Sequence, residues 1–251
     1  MSGKMFFTSN FIVQKFSRNK VIYMSLSLLL LTDIHDRIRY VDKLVKHLHD
    51  TRISIDAVII AGDLTYFRGV KHAIKILEEF AVKLDKPVYF VPGNCDDPKL
   101  LDIDEIEEYK IYNIHGRKRI FKNYMIYGIG GSNFTPFNTL IEWSEEEIEK
   151  FVNMVINVDS KQLIMVTHIP IYGVMDNING ENVGSHVLRK FLDEHGALLW
   201  VTGHLHEYSG YKIINETIIV NPGPFMRGYY SIARINNSTV NVWINNFLKP
   251  K

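Results

Sequence analysis

The amino-acid sequence predicts an α/β fold, in which short buried strands alternate with amphipathic helices before a strand-rich tail. The strands are predicted at runs of branched apolar residues: Ser27–Leu31, Ala57–Ala61, Val88–Val91, Met125–Ile129, Leu163–Thr167 and Leu198–Thr202. Four apolar stripes of helical period separate them, and one of these helices opens with a capping box of Ser144 and Glu147. Residues 210–245 have the pattern of three or four more strands. We therefore expect an α/β core that ends in an antiparallel sheet.

The chain shows no linker, internal repeat or low-complexity tract, so its 251 residues are expected to form one domain. We place this domain at residues 24–251 and regard residues 1–23 as an extension outside the core. The apolar run at 21–32 is shorter than the ~18 residues that a membrane span needs. No small-residue cleavage site follows it, so it predicts a first strand rather than a signal peptide. A cytoplasmic location without membrane contact is the resulting expectation.

Composition narrows the class of function. Hydrophobic residues make up 46% of the chain and charged residues 23%, which is typical of a globular protein and not of a disordered one. The 29 basic and 28 acidic residues nearly cancel, which argues against a strong nucleic-acid footprint. A single cysteine, Cys95, excludes an internal disulfide.

The polar residues whose side chains could bind a metal or take part in catalysis lie at the ends of predicted strands. In an open α/β sheet, the functional crevice lies beyond the carboxyl ends of the strands. Five of the six core strands are followed at once by a residue with a metal-binding side chain. The residues concerned are Asp33, His35, Asp63, Asn94, His168, His204 and His206.

These seven side chains offer carboxylate, amide and imidazole donors but no thiolate. That mixture suits Mn²⁺, Fe²⁺, Zn²⁺ or Ni²⁺ rather than a structural zinc site built from sulfur. Seven ligands exceed what one such ion takes and suffice for two ions if one carboxylate bridges them. Each element alone is weak evidence, because a Gly-Asp pair after a strand is most often a simple turn. Five such elements in order, each at a strand end, favour a metal centre.

The order of motifs, D-x-H, G-D, G-N-x-D, H and G-H-x-H, resembles that of the calcineurin-like metallophosphoesterase superfamily. These motifs run from Asp33 to His206. Two finer features resemble the branch of Icc-related predicted phosphoesterases: the Gly128–Ser132 segment followed by Thr135-Pro136-Phe137, and the Asn221–Pro224 segment.

The resemblance implies a four-layer α-β-β-α sandwich, with two mixed sheets face to face and helices outside. It also implies that Asp33, His35 and His206 bind a first divalent ion, that Asn94, His168 and His204 bind a second, and that Asp63 bridges both. Mn²⁺ is the favoured metal, with Fe, Zn or Ni as alternatives. Asp63, Asn94 and His168 are then also catalytic candidates, because two ions can hold a hydroxide nucleophile against a phosphoryl group.

Cys95 marks a departure from the family pattern. The commonest third motif is G-N-H-[DE], whose histidine serves as general acid or orients the phosphate, and Cys95 stands at its position. Tyr66 stands where the phosphatase branch has the aspartate that partners this histidine. Cys95 is a catalytic candidate as a proton donor, although a buried cysteine is more often inert packing. Because both members of the pair are absent, we expect phosphodiesters or activated leaving groups to be preferred substrates.

Three functions follow as hypotheses. The first is a two-metal phosphodiesterase that acts on a small phosphoester, with a nucleotide as one candidate. The second is a phosphomonoesterase or nucleotide pyrophosphatase that uses the same centre. The third is a non-catalytic scaffold resembling the retromer subunit of this fold, although that kind of site has lost metal ligands. The sequence does not decide the natural substrate or the oligomeric state, and the expected specificity loops at Tyr112–Lys122, Ser132–Thr139 and Tyr172–Ser185 carry no recognisable code.

Several residues near the motifs receive simpler interpretations. His115 is interpreted as part of a solvated basic turn. Arg68 and Arg227 are near the motifs in sequence but have no spacing that assigns them to a phosphate. Aromatic residues such as Phe134 and Phe137 are expected mainly in the core or at the rim of the site, with one or two available to stack on a substrate ring.

Overall fold

A computed structural model describes residues 25–236 and 238–249. The extension predicted at residues 1–23 lies outside this range. The strands in chain order are β1 (Leu26–Leu31), β2 (Ala57–Ala61), β3 (Val88–Val91), β4 (Glu105–Ile106), β5 (Ile111–Asn113), β6 (Lys118–Phe121), β7 (Tyr124–Ile129), β8 (Ser132–Asn133), β9 (Glu142–Trp143), β10 (Leu163–Thr167), β11 (Asn177–Ile178), β12 (Glu181–Asn182), β13 (Leu199–Val201), β14 (Gly210–Ile214), β15 (Thr217–Asn221), β16 (Tyr229–Asn236) and β17 (Thr239–Asn246). The α-helices are α1 (Tyr40–Asp50), α2 (Val70–Leu84), α3 (Glu145–Asn153) and α4 (His186–Glu194).

Two large mixed sheets organise the molecule. One has the strand order β17-β16-β1-β2-β3-β5-β4 and the other the order β14-β15-β13-β10-β7-β6. The central strands β1, β2, β3 and β5 pair in parallel, as do β7, β10, β13 and β15. Parallel neighbours end at the same edge of their sheet, so each sheet collects its loops at one edge.

Three apolar layers hold the sheets and helices together. The middle layer joins the facing sides of the two sheets, with Leu28 and Ile59 from one and Ile164 and Val201 from the other. The outer side of the first sheet packs on α1 and α2, and that of the second packs on α3 and α4. This arrangement is the predicted four-layer sandwich, and it confirms the fold class. Within the described residues, no helix is both long enough and apolar enough to cross a membrane.

The predicted capping box at α3 is present. The Ser144 hydroxyl accepts a hydrogen bond from the Glu147 backbone N–H at 3.3 Å, and the Glu147 carboxylate accepts one from the Ser144 N–H at 2.9 Å. Two N–H groups that the helix itself leaves unpaired are thereby satisfied. The cap fixes the point at which the chain leaves β9 and enters the helix.

The strand-rich tail does not form a sheet of its own, which corrects one expectation. Strands β14 and β15 extend the second sheet, and β15 pairs in parallel with β13. Strands β16 and β17 extend the first sheet instead, where β16 runs antiparallel to β1. The segment Pro222–Gly228 crosses between them. The tail therefore adds two strands to one edge of each sheet. Alternation of apolar and polar residues does not show which sheet a strand joins.

Candidate metal centre

Seven polar side chains converge where five core strands end. They come from the loops after β1 (Asp33, His35), β2 (Asp63), β3 (Asn94), β10 (His168) and β13 (His204, His206). These are the seven positions at which the sequence predicts metal ligands. The two histidines after β13 are half-buried and the others are buried. The face-to-face packing of the sheets brings both loop edges to one place.

One group of donors consists of Asp33, His35 and His206. The Nε2 atom of His206 lies 3.1 Å from Oδ1 of Asp33. The same nitrogen lies 3.0 Å from Nε2 of His35, which is itself 3.8 Å from Asp33 Oδ1. Two imidazole nitrogens and a carboxylate oxygen thus face one small space.

The second group consists of Asn94, His168 and His204. The Oδ1 atom of Asn94 lies 2.9 Å from His168 Nε2 and 2.9 Å from His204 Nδ1. Asp63 lies between the two groups, because its Oδ2 atom is 3.4 Å from His168 Nε2 and 3.5 Å from His35 Nε2. Asp33 also approaches this side: ligand atoms of Asp33, Asp63 and His168 lie within 4.8 Å of one another.

A backbone contact orients the His168 ring. Its Nδ1 atom lies 2.7 Å from the carbonyl oxygen of Ala61, so Nδ1 carries the proton and donates it. In the neutral ring, Nε2 is then the lone-pair nitrogen, and it points at Asn94 and Asp63. Fixing the tautomer through the far nitrogen is how metal-binding histidines are commonly held.

Four of the seven residues have left-handed backbones, which side chains other than glycine rarely adopt. Their φ values are 54° for Asp33, 43° for His35, 52° for Asp63 and 72° for His204. Such conformations cost of order 1 kcal/mol or more each and persist where the surroundings enforce them. Here backbone hydrogen bonds do so: the N–H groups of Asp33 and His35 donate to the carbonyls of Gly62 and Asp63 at 3.0 Å each.

Glycines before the predicted ligands make room for them. A Cβ atom on Gly93 would lie 2.0 Å from Oδ1 of Asp63, and one on Gly203 would lie 2.1 Å from Oγ1 of Thr32. Gly62 has a φ of 91°, and a Cβ there would meet the His168 ring at 2.5 Å. A left-handed turn therefore requires glycine at 62, whereas close approach alone requires it at 93.

Asp96 ties the loops after β2 and β3 together, a role that sequence reasoning missed. Its buried carboxylate accepts hydrogen bonds from the N–H groups of Leu64, Thr65 and Gly93 at 2.8–3.0 Å, and from the Thr65 hydroxyl at 2.9 Å. Burial and the nearby Asp63 charge raise the pKa of Asp96 to about 7. The final aspartate of the G-N-x-D motif was the available signal.

Charges within the site shift its histidines in opposite directions. Burial alone would lower the pKa of His168, but the Asp63 carboxylate outweighs it and raises the pKa to about 9. Burial together with the His168 charge lowers the pKa of His204 to about 4. Burial also works to raise the pKa of Asp63, yet the His168 charge holds it below its usual range. The site thus maintains a cation between its carboxylates.

This donor set fits divalent cations. In its neutral form, His168 would place a lone-pair nitrogen 2.9 Å from a lone-pair oxygen of Asn94, which is repulsive unless a proton or a cation lies between them. The raised pKa of His168 shows that the protein alone uses the proton. A divalent ion supplies the same positive charge and displaces that proton on binding.

Cys95 contributes its backbone to the site. Its N–H donates to Oδ1 of Asp63 at 2.9 Å, opposite the oxygen that faces the histidines. The side chain is buried, and its sulfur lies 3.8 Å from the Asn94 amide nitrogen. Burial, reinforced by the Asp63 charge, raises the pKa of the Cys95 thiol. The thiol therefore resists proton loss, which weakens it as a general acid.

A cleft of about 690 Å³ opens beside His204 and His206. Its walls are the segment 133–137 and the β11–β12 hairpin with Val183. Two of the expected specificity loops, Ser132–Thr139 and Tyr172–Ser185, thus line it. The third, Tyr112–Lys122, does not: it contains β6, and its residues Tyr112, Ile114 and Phe121 pack in the middle apolar layer.

His115 corrects another expectation, because it is buried rather than part of a solvated turn. Its ring stacks on Trp143 with 5.4 Å between centroids, and its Nδ1 accepts a hydrogen bond from the Gly130 N–H at 3.0 Å. Burial lowers the pKa of His115 to about 4. His115 therefore supports the loop after β7 as a neutral ring.

The two arginines near the motifs make local contacts. Arg68 lies 3.3 Å from Asp36 through its Nε atom, and Arg227 donates to the His206 carbonyl oxygen at 3.2 Å. Phe225 and Tyr230 are in the core, and Phe134 and Phe137 are exposed at the cleft. The aromatic residues that line the cleft thus lie on one loop, while exposed Tyr66 contacts His35 from the loop after β2.

The chain is similar in sequence to two known proteins and in fold to a solved structure. The chain is 35% identical over 202 residues to protein MJ1162 of Methanocaldococcus jannaschii, with 77% of this chain and 86% of that protein covered. It is 26% identical to a probable glycerophosphodiester phosphodiesterase, GpdQ, of Arcobacter nitrofigilis, with 66% of this chain and 62% of that relative covered. Among solved structures, TT1561 of Thermus thermophilus superposes with a TM-score of 0.67 at 16% identity, covering 89% of this chain and all of that one.

The family model for calcineurin-like phosphoesterases matches residues 26–208. This span runs from the first core strand to just beyond the last predicted ligand, His206, and it covers more than half of the chain. The chain therefore belongs to the calcineurin-like phosphoesterase family.

Proposed function

We propose that this protein is a divalent-metal-dependent phosphodiesterase that acts on a small phosphoester and holds two ions in its metal centre. The observation that carries the proposal is the convergence of seven side chains with oxygen and nitrogen donors from five strand ends. Two of them, His204 and His206, also line the adjacent cleft. Membership of the phosphoesterase family supports the class of reaction.

The distances support a division of the ligands between two ions. Asp33, His35 and His206 would hold the first ion, and Asn94, His168 and His204 the second. Asp63 would bridge them, because one of its oxygens is nearly equidistant from a histidine of each group, at 3.5 Å and 3.4 Å. The oxygen and nitrogen donors favour Mn²⁺, with Fe, Zn or Ni as alternatives.

The chain's own residues position the reaction. When bound, two divalent ions supply Lewis-acid stabilisation of the phosphoryl oxygens and lower the pKa of a coordinated water. Asn94 and His168 would orient the phosphate from the second group, where the Ala61 carbonyl fixes the direction of the His168 ring. Asp63, held by the Cys95 N–H, keeps the two groups at a constant separation.

Cys95 supports a preference for esters with activated leaving groups. Its raised pKa leaves the site without an effective acid at the position where the family more commonly has histidine. A leaving alkoxide of high pKa would then depart unprotonated, which slows hydrolysis. Esters with an activated leaving group do not need this proton. The preference for a diester is supported separately by the relative named as a probable glycerophosphodiester phosphodiesterase.

The test compares two chromogenic esters on one preparation. The protein is stripped of metal, reloaded with Mn²⁺, and assayed with bis-p-nitrophenyl phosphate and p-nitrophenyl phosphate. We expect a higher kcat/KM for the diester and a loss of about 10³-fold or more in Asp63→Asn. Asp42→Asn is the matched control, because Asp42 is an exposed carboxylate on α1 that pairs with Lys83.

Each alternative has its own outcome in this assay. Equal or faster turnover of the monoester would favour a phosphomonoesterase or nucleotide pyrophosphatase. Tight binding of two equivalents of Mn²⁺ without hydrolysis of either ester would favour a non-catalytic scaffold.

A further inference from the structure

The cleft beside the metal centre has an apolar lining on both walls. One wall presents Phe134, Pro136 and Phe137, and the other presents Ile178 and Val183. The two phenylalanine side chains are 69% and 80% exposed, although they lie only three residues apart. Two large apolar rings left in water on one short loop are more informative than scattered exposed residues.

The loop that carries the phenyl rings is held in place. The Glu142 carboxylate accepts hydrogen bonds from the backbone N–H groups of Thr135 and Thr139 at 3.3 and 2.8 Å, and from the Thr135 hydroxyl at 2.6 Å. The N–H of Leu140 donates to the carbonyl of Asn94 at 2.9 Å. The backbone of the loop is therefore tied to the backbone of a predicted metal ligand.

The opposite wall is a tight hairpin. Asn179 and Gly180 form its two-residue turn, and both have positive φ, at 53° and 96°. This is the Asn-Gly sequence that such turns favour. The Tyr208 hydroxyl binds the backbone of Asn177, and Asn133 crosses to the Val183 carbonyl at 2.9 Å. The walls are thus linked to each other and to the loop after β13.

The charge of the lining limits what the cleft can hold. No lysine or arginine lines it within the described residues, and its one carboxylate is Glu207. A second phosphate would therefore find no neutralising partner there and would be repelled by Glu207. An anionic group of a ligand would therefore lie at the end of the cleft with His204 and His206.

We propose that this cleft binds the organic group of the phosphoester and that this group contains a flat aromatic ring, such as an aryl group or a nucleobase, which stacks on Phe134 and Phe137. The inference rests on the proposed function for the phosphate's position at the metal centre. The π-faces of exposed phenyl rings on a fixed loop favour flat rings over flexible chains, because stacking then requires little ordering of the protein.

Non-hydrolysable probes test the cleft without turnover. The Mn²⁺-loaded protein is titrated calorimetrically with phenylphosphonate, methylphosphonate and n-hexylphosphonate. We expect phenylphosphonate to bind about tenfold more tightly than methylphosphonate, with the hexyl compound in between. In the Phe134→Ala/Phe137→Ala double variant, the phenyl-to-methyl ratio should fall below about twofold while methylphosphonate affinity stays the same.

Trp243→Ala is the matched control, because Trp243 is a half-exposed aromatic residue on the edge strand β17, outside the cleft. It should keep the tenfold ratio. A ratio near one in the wild type, an unchanged ratio in the double variant, or hexylphosphonate binding as tightly as phenylphosphonate would each overturn the inference. Absence of hydrolysis with the ratio intact would count against the proposed function alone.

Discussion

The metal centre and the cleft beside it are built in different ways. We call the seven predicted ligands and the loops that carry them the floor of the site, and segment 133–137 with the β11–β12 hairpin its walls. The floor residues are buried or half-buried at strand ends, and four of them have left-handed backbones. Hydrogen bonds to neighbouring carbonyls hold two of these four, Asp33 and His35. The walls are exposed loops whose side chains face water but whose backbones are tied down by Glu142 and Tyr208. On the proposed function, the chemistry would therefore depend on crowded groups that cannot be altered separately. Substrate choice would depend on exposed side chains that can change without disturbing the fold.

Two glycines show the contrast directly. A Cβ atom on Gly93, in the floor, would meet the Asp63 carboxylate at 2.0 Å. A Cβ atom on Gly180, in the hairpin wall, would meet nothing within 4 Å, and only its φ of 96° restricts that position. Lack of space restricts which residue can stand at position 93 in the floor, whereas backbone conformation restricts which can stand at position 180 in the wall.

Among substitutions that test this contrast, the largest effect is expected from Gly93→Ala. The added methyl group must displace Asp63 or the loop after β3, because the contact of 2.0 Å is with the carboxylate itself. We expect kcat/KM for bis-p-nitrophenyl phosphate to fall by about 10²-fold or more. The free energy of unfolding, measured by urea denaturation, should fall by about 1–3 kcal/mol.

Gly210→Ala is the matched control for Gly93→Ala, since a Cβ at Gly210 in β14 would meet nothing within 4 Å. Its activity should stay within about twofold of the wild type and its stability within ~0.5 kcal/mol. Full activity in Gly93→Ala would show that the floor adapts as readily as the walls, and the contrast would be lost.

A smaller effect concerns His115, which lies below the floor. Its pKa of about 4 in the folded chain is below the ordinary value of 6.5, so only the unfolded chain takes up a proton between these values. His115 therefore leaves stability unaffected above pH 6.5 and lowers it as the pH falls towards 4. Integrated over that interval, the loss is of the order of 3 kcal/mol.

The measurement compares the wild type with His115→Gln. Both proteins, stripped of metal, are denatured with urea at pH 7.5, 6.0, 5.0 and 4.0. The stability advantage of the wild type should shrink progressively below pH 6.5. Parallel pH profiles would contradict the buried neutral ring, because the other titrating groups are common to both proteins.

The sequence was sufficient to predict the floor. Parallel strands leave their following residues at one edge, so Asp63 after β2 and Asn94 after β3 could be placed together from order alone. The Ser144 cap was equally local, because its partners lie three residues apart. Features that depend on neighbours in the chain or on strand direction can be predicted from the sequence in this way.

The structure of the walls was harder to predict from the sequence, because their contacts join residues that are distant in the chain. Asn133 reaches Val183 across 50 positions, and Leu140 reaches back to the Asn94 carbonyl. The burial of His115 depends on Trp143, which lies in another segment of the chain. The basic residues around Arg117 alone predict a solvated turn. One signal was overlooked: Asn179-Gly180 is a strong local predictor of the hairpin wall.

The most direct test of the account is a count of metal ions. Metal-free protein is dialysed to equilibrium against Mn²⁺, and the bound metal is quantified while its electron paramagnetic resonance spectrum is recorded. The account predicts two ions per chain with an exchange-coupled signal, since a shared carboxylate holds such ions ~3.5–4 Å apart. It also predicts that Asp63→Asn loses the coupling. One magnetically isolated ion, or none, would contradict the two-ion centre.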